Sequence, residues 1–185
     1  MSFRAFIALD LSPEALAAVE AEQVPLRAAI TRQGVRFVRP DKIHLTLLFL
    51  GQLDEERLPE LADALQQGIS GLKPPRLRVG GIGAFPTIQR PKTIWLGVEE
   101  EGLGELQSAV ATAAKPFAEL RDDKPYRPHL TLARVSPGSK AVGFLIQPLV
   151  ARLPAGTEWC PSEVVVYEST PGGDYLERSR VTIPV

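Results

Sequence analysis

Tyr126-Arg127-Pro128-His129-Leu130-Thr131-Leu132-Ala133-Arg134 decides how this chain is read, because its centre occurs twice. His44-Leu45-Thr46-Leu47 is the same tetrapeptide as His129-Leu130-Thr131-Leu132, and the two copies hold the only two histidines among 185 residues. With ordinary residue usage, two histidines sharing their next three residues by chance is on the order of a one-in-a-thousand event. The likeness extends upstream. Pro40 and Pro125 each stand four before the histidine, and Lys42 and Arg127 each stand two before it.

A strand has a side-chain period of two, so in each extended tetrapeptide His and Thr share one face and the two leucines the other. The leucines can bury in a core while an imidazole and a hydroxyl are offered to a cleft. Two such strands facing each other predict a site framed by one imidazole and one hydroxyl on each side.

Outward from the motifs, the flanking segments fall into a repeated order. Phe3 to Leu9 reads as a buried strand, and Ser12-Pro13-Glu14 opens a helix with serine as N-cap and proline in the first turn. Pro25 predicts a kink or break in that helix. A connector carrying Arg32, Arg36 and Arg39 leads to the first motif strand, which Gly51 is expected to end. A helix from Asp54, with Leu58, Leu61 and Leu65 at helical spacing, and a strand from Arg76 toward Phe85 follow.

Gly81-x-Gly83 has Pro86 where a dinucleotide-binding loop needs its third glycine, so these glycines predict a bulged or closely approached strand. Thr93 to Val98 is the next strand, and Gly102 to Leu120 the next helix. After the second motif come a short interrupted helix over Ala141 to Leu153 and two strands joined by the turn Pro171-Gly172-Gly173-Asp174. Each half thus runs strand, helix, motif strand, helix, strand. Phe6 stands 38 positions before His44, and Trp95 stands 34 before His129. This order predicts a diverged duplication, with repeats of about 1–86 and 87–185 forming one two-lobed domain.

Composition limits the partners. Hydrophobic residues make up 44% and charged residues 23%, as in an ordinary soluble globular protein. The formal net charge of -1 provides no basic coat for wrapping a long nucleic acid, so a short end or small loop is the expected nucleic-acid partner. Cys160 is the only cysteine, which excludes an internal disulfide and fits a reducing, cytoplasmic setting. Between Trp159 and Pro161 it is expected to pack as a small apolar group. The apolar run from Ala5 to Leu9 is too short for a signal sequence, and no stretch approaches membrane-spanning length.

Histidine is the side chain whose free pKa lies nearest neutrality, so one of a pair can be neutral while the other holds a proton. A concerted displacement needs both: a base for the nucleophile and an acid for the leaving group. Thr46 and Thr131 can donate to a tetrahedral anion between the rings, and phosphate fits that description best. Two histidines 85 positions apart, with no carboxylate in either motif, do not make a metal site. Nor is there a Gly-x-Ser-x-Gly nucleophile elbow. Lys42, Arg127 and Arg134 are cations near the motifs, suited to phosphate charge. In a regular strand Arg134 points away from the His129 face and needs a bulge to reach it. Tyr126 and Phe49 are candidates to stack on a base, although Phe49, set amid leucines, is expected to pack in the core.

The doubled His-x-Thr-x motif and the strand-helix order resemble the 2H phosphoesterase superfamily. Leu45 to Gly51, Gly81-x-Gly-x-Phe-Pro86, Ile94-Trp95-Leu96-Gly97-Val98 and Arg127 to Arg134 resemble the bacterial and archaeal RNA 2′,3′-cyclic phosphodiesterases, historically called 2′-5′ RNA ligases. The resemblance covers nearly the whole chain. It implies a bilobal α+β fold of duplicated β-α-β-α-β units, with antiparallel sheets lining a central groove and no metal or organic cofactor. It implies action on RNA ends or nucleotides that bear a 2′,3′-cyclic phosphate; a monomer without a membrane partner is expected. His129 then corresponds to the base that activates water and His44 to the acid that protonates the 3′ oxygen, while Thr46 and Thr131 hold the non-bridging oxygens. Alternatives that keep the chemistry are 2′,5′-phosphodiester hydrolysis, reversible end joining or a related cyclic-nucleotide substrate. A further alternative is a binder of RNA ends without turnover.

Overall fold

Both motif segments are strands whose leucines are buried, as the alternation requires: Leu45, Leu47, Leu130 and Leu132 are each no more than 2% exposed. The computed structural model describes residues 1–31, 34–119, 125–139, 141–150 and 156–184. Within these, the order is β1 (Ser2–Leu9), α1 (Pro13–Ala29), β2 (Val35–Phe37), β3 (Leu45–Asp54), α2 (Leu58–Gly68), β4 (Arg76–Pro86), β5 (Pro91–Glu101), α3 (Leu103–Ala114), β6 (His129–Val135), α4 (Val142–Val150), β7 (Glu158–Trp159), β8 (Glu163–Ser169) and β9 (Tyr175–Thr182).

All described pairings are antiparallel, and the sheet reads β7-β4-β5-β6-β3-β1-β8-β9, with β2 added to β6. The two expected sheets are joined at one point. The motif strands β3 and β6 pair only at Leu45 opposite Leu130. Beyond that pair β3 stays with β1, whereas the end of β6 takes β2 as its neighbour. The motif strands therefore part after their first residues, and their polar faces look into the opening between them. Helices α1 and α4 pack together over β4, and α2 and α3 pack together against β9 and β3. Their apolar stripes join the motif leucines in one buried cluster.

Local rules account for the helix ends. Ser12 caps α1 by accepting the Ala15 amide at 3.2 Å, and Pro13 occupies the first turn. The expected break at Pro25 does not occur, and α1 runs through it to Ala29. Val19, Gln23 and Leu26 bury on both sides of the proline, and this packing offsets the one missing helix hydrogen bond. The expected end of β3 at Gly51 is also overturned. Gly51 takes a φ of 84° and lets the strand continue to Asp54 beside a bulge.

Other expectations shift in detail. The connector before the first motif contains β2, with Arg36 opposite Arg134; Arg32 lies outside the described residues. The third helix ends at Ala114 and passes into a short 3-10 turn over Lys115–Phe117, because Pro116 cannot extend it; Leu120 lies outside the described residues. The fourth spans Val142–Val150, and the remainder of its expected range, through Leu153, is likewise outside them. Gly83 is closely approached, since a Cβ there would come within 2.1 Å of the Trp95 ring. Cys160 is exposed rather than packed: Trp159 turns into the core, so the next residue turns out.

Candidate active site

A cavity of about 460 Å³ lies in the opening between the motif strands, and His44, Thr46, His129 and Thr131 all line it. The same structural detail fixes each ring. His44 Nδ1 lies 2.9 Å from the Lys42 carbonyl oxygen, and His129 Nδ1 lies 2.7 Å from that of Arg127. A carbonyl only accepts, so each Nδ1 carries the proton and donates it. Nε2 is thereby left without a protein partner among the described residues, in rings that face the cavity. The cation two before each histidine is the residue that supplies this carbonyl, and the shared proline stands two residues further upstream.

The aromatic surroundings are also paired. Phe6 stacks on His44 with ring centres 4.8 Å apart, and Tyr175 meets its edge at 5.1 Å. Phe85 meets His129 edge-on at 5.0 Å. The packing around His44 is the tighter, and desolvation holds its pKa down at about 4, with His129 and Arg134 acting in the same direction. The Lys42 carbonyl and Asp10 oppose this shift but do not cancel it. In the free protein, His44 is neutral at pH 7.

Two bulges shape the rest of the site. In β6, Thr131 is opposite Trp95 and Ala133 opposite Ile94, so Leu132 is the extra residue. In β3, Thr46 is opposite Ala8 and Leu48 opposite Ile7, so Leu47 is the extra residue. The last leucine of each tetrapeptide is therefore bulged. Its carbonyl is held by a glutamine from a helix: Gln23 Nε2 donates to Leu132 O at 3.2 Å, and Gln107 Nε2 donates to Leu47 O at 3.3 Å. The Val38 amide adds a second donor to Leu132 O at 2.8 Å.

The bulge reverses the alternation beyond it, so the fifth residue after each histidine turns toward the groove. In β6 that residue is Arg134, which lines the cavity and has no ion pair among the described residues. In β3 it is Phe49, which corrects the core placement expected for it: its side chain lines the cavity and the residue is 52% exposed.

The remaining candidates occupy distinct places. Lys42 lines the cavity, but its ammonium is held by the Asp174 carboxylate at 2.5 Å and the Gly173 carbonyl at 2.8 Å, tying the motif approach to the β8–β9 turn. Tyr126 and Arg127 line an adjoining space instead. The Tyr126 hydroxyl donates to the Thr46 carbonyl at 3.0 Å, linking the approach of one motif to the strand of the other. Burial pushes that phenol's pKa up. Sequence reasoning missed Arg4, Phe6, Phe85 and Tyr175 at the site. A lone cation interrupting an apolar strand was the available signal for Arg4. Among the described residues, no group of three or more His, Cys, Asp or Glu side chains could hold a metal ion.

Charge is sorted around the site. Among the described residues, the lining of the central cavity includes Arg4, Lys42 and Arg134 and no carboxylate. The acids Asp10, Asp41 and Asp174 line a smaller space of about 240 Å³ on the other side of His44. The net charge of -1 thus conceals a cationic groove, and an anion is the ligand this lining favours.

Fold and site together define an α+β protein whose paired His-x-Thr strands offer two imidazoles and two hydroxyls to one anion-binding groove. The chain belongs to the 2′-5′ RNA ligase superfamily, whose profile matches residues 12–170. It is similar to a protein of Archaeoglobus fulgidus named RNA 2′,3′-cyclic phosphodiesterase, at 36% identity over 115 residues; the match covers 62% of this chain and 64% of the relative. A protein of the same name from Methanothermobacter thermautotrophicus is 32% identical over 136 residues, covering 73% of this chain and 72% of the relative. Among solved structures, the protein TT0787 of Thermus thermophilus superposes with a TM-score of 0.76 at 30% identity, with 97% of each chain covered. No helix among the described residues is long and apolar enough to cross a membrane.

Proposed function

We infer that this chain is an RNA 2′,3′-cyclic phosphodiesterase, a hydrolase that opens the cyclic phosphate at an RNA end and leaves a 2′-phosphate. The observation that carries this reading is the pair of rings on one cavity, each with Nδ1 tied to a main-chain carbonyl and Nε2 without a partner among the described residues. Two such nitrogens on either side of a phosphorus suit in-line displacement. The names borne by the relatives support the same substrate class.

In this mechanism His129 Nε2 takes a proton from water as the oxygen attacks phosphorus. The 3′ oxygen leaves and takes a proton from His44 Nε2. Thr46, Thr131 and Arg134 face the non-bridging oxygens, where negative charge builds. His44 is neutral before substrate binds, so its acid role depends on the substrate. A bound phosphodiester anion favours the imidazolium and restores the proton that burial removes. Both histidines come from one chain, so the site is complete in a monomer.

The test is incubation of a short RNA bearing a 2′,3′-cyclic phosphate with the protein in EDTA, with the product read by phosphorus NMR. A 2′-phosphomonoester is expected. Unchanged substrate, or a 3′-phosphomonoester, would contradict the reading.

A further inference from the structure

The central cavity, at about 460 Å³, is in the size range of a site for one small ligand. Beside it lies a second, larger space of about 750 Å³ with no role in the mechanism above. The two are continuous, since Thr46, Phe49, Phe85 and His129 line both. The larger space is mostly apolar, carries the cations Lys92 and Arg127, and has no carboxylate among the described residues of its lining. Phe49 stands at the junction with half its surface exposed. An apolar shelf with exposed aromatic surface and cations at its rim matches a nucleobase with its phosphate.

A strand that ends in a 2′,3′-cyclic phosphate can continue only on its 5′ side. Its terminal phosphorus must lie between the histidines, so the chain has to leave through a space joined to theirs. We propose that the larger cavity is a second nucleotide site, holding the residue 5′ to the cyclic end. There the base lies on the Phe49 and Tyr126 side, and Lys92 meets the phosphodiester between the last two nucleotides. The preferred substrate is then an oligonucleotide of two or more residues rather than a cyclic mononucleotide. This inference rests on the cyclic-phosphodiesterase reading.

Measuring kcat/KM for a nucleoside 2′,3′-cyclic phosphate and for a dinucleotide with the same cyclic end tests it. The dinucleotide is expected to be better by about tenfold or more, the effect of one stacked base. Lys92→Glu is expected to bring that ratio close to one. Equal constants in the unmodified protein, or a Lys92→Glu variant that slows both substrates alike, would overturn the second site while leaving the cyclic-phosphodiesterase reading intact. Turnover of neither substrate would overturn both.

Discussion

His44 carries the most informative physical conflict in the molecule, because the burial that orients its ring also removes the proton its role requires. Its pKa in the folded protein, about 4, lies below the ordinary value of 6.5. The unfolded chain therefore binds more protons between these limits. Stability from this residue is fully present above pH 6.5 and is lost as pH falls through 4, by roughly 3 kcal/mol in all. Denaturant titrations at pH 7 and pH 4.5 are expected to show this loss, and His44→Gln to reduce it. NMR titration of the free protein is expected to place His44 near pH 4, and inorganic phosphate to move that titration upward. A His44 titration that phosphate leaves unmoved would contradict the proposed coupling between anion binding and protonation.

The element that decides which side chains accompany the histidines is the bulged strand. The alternation of His and Thr against leucine was legible in the sequence, because strand period and a repeated tetrapeptide are local facts. That Arg134 needed a bulge was legible as well. What holds the bulge was not: Gln23 reaches Leu132 across 109 positions, and nothing near either residue signals the contact. Phe49 was misplaced for the same reason, since the extra residue at Leu47 turns it from the core to the groove. Gln23→Leu removes the two hydrogen bonds that Gln23 Nε2 donates to the Leu132 and Val38 carbonyls but leaves the Val38 amide donating to Leu132, so a loss of about 1–3 kcal/mol is expected from thermal or chemical unfolding. If the glutamine aims Arg134, the same change lowers kcat and adds little in an Arg134→Ala background. Independent, additive losses would show that Gln23 serves stability alone.

At the scale of the whole molecule, the strand order reads alike from both sides of the Leu45–Leu130 seam. Outward on one side lie β6, β5 and β4, and on the other β3, β1 and β8. We infer a duplication with repeats of about 1–86 and 87–185, in which β1, β3 and β4 correspond to β5, β6 and β8. The matching tethers of Gln23 and Gln107, each to the bulged leucine of a motif strand, support it. The fifth position after the histidine holds a cation, Arg134, in one motif strand and an aromatic ring, Phe49, in the other. The sorting of charge also acts at this scale, and it was hidden in a composition that sums to -1. Raising salt from roughly 0.05 to 0.5 M is expected to raise KM for a cyclic-ended oligonucleotide with little change in kcat, because screening weakens attraction to the cationic groove more than chemistry within it.

The central claim is that the two imidazoles transfer protons on opposite sides of one phosphorus. Single-turnover hydrolysis of a cyclic-phosphate-ended RNA by His44→Ala and by His129→Ala, each checked for native circular dichroism, tests it most directly. A loss of about 100-fold or more is predicted for each variant, the usual contribution of one acid or base. Undiminished turnover by either folded variant would contradict the account.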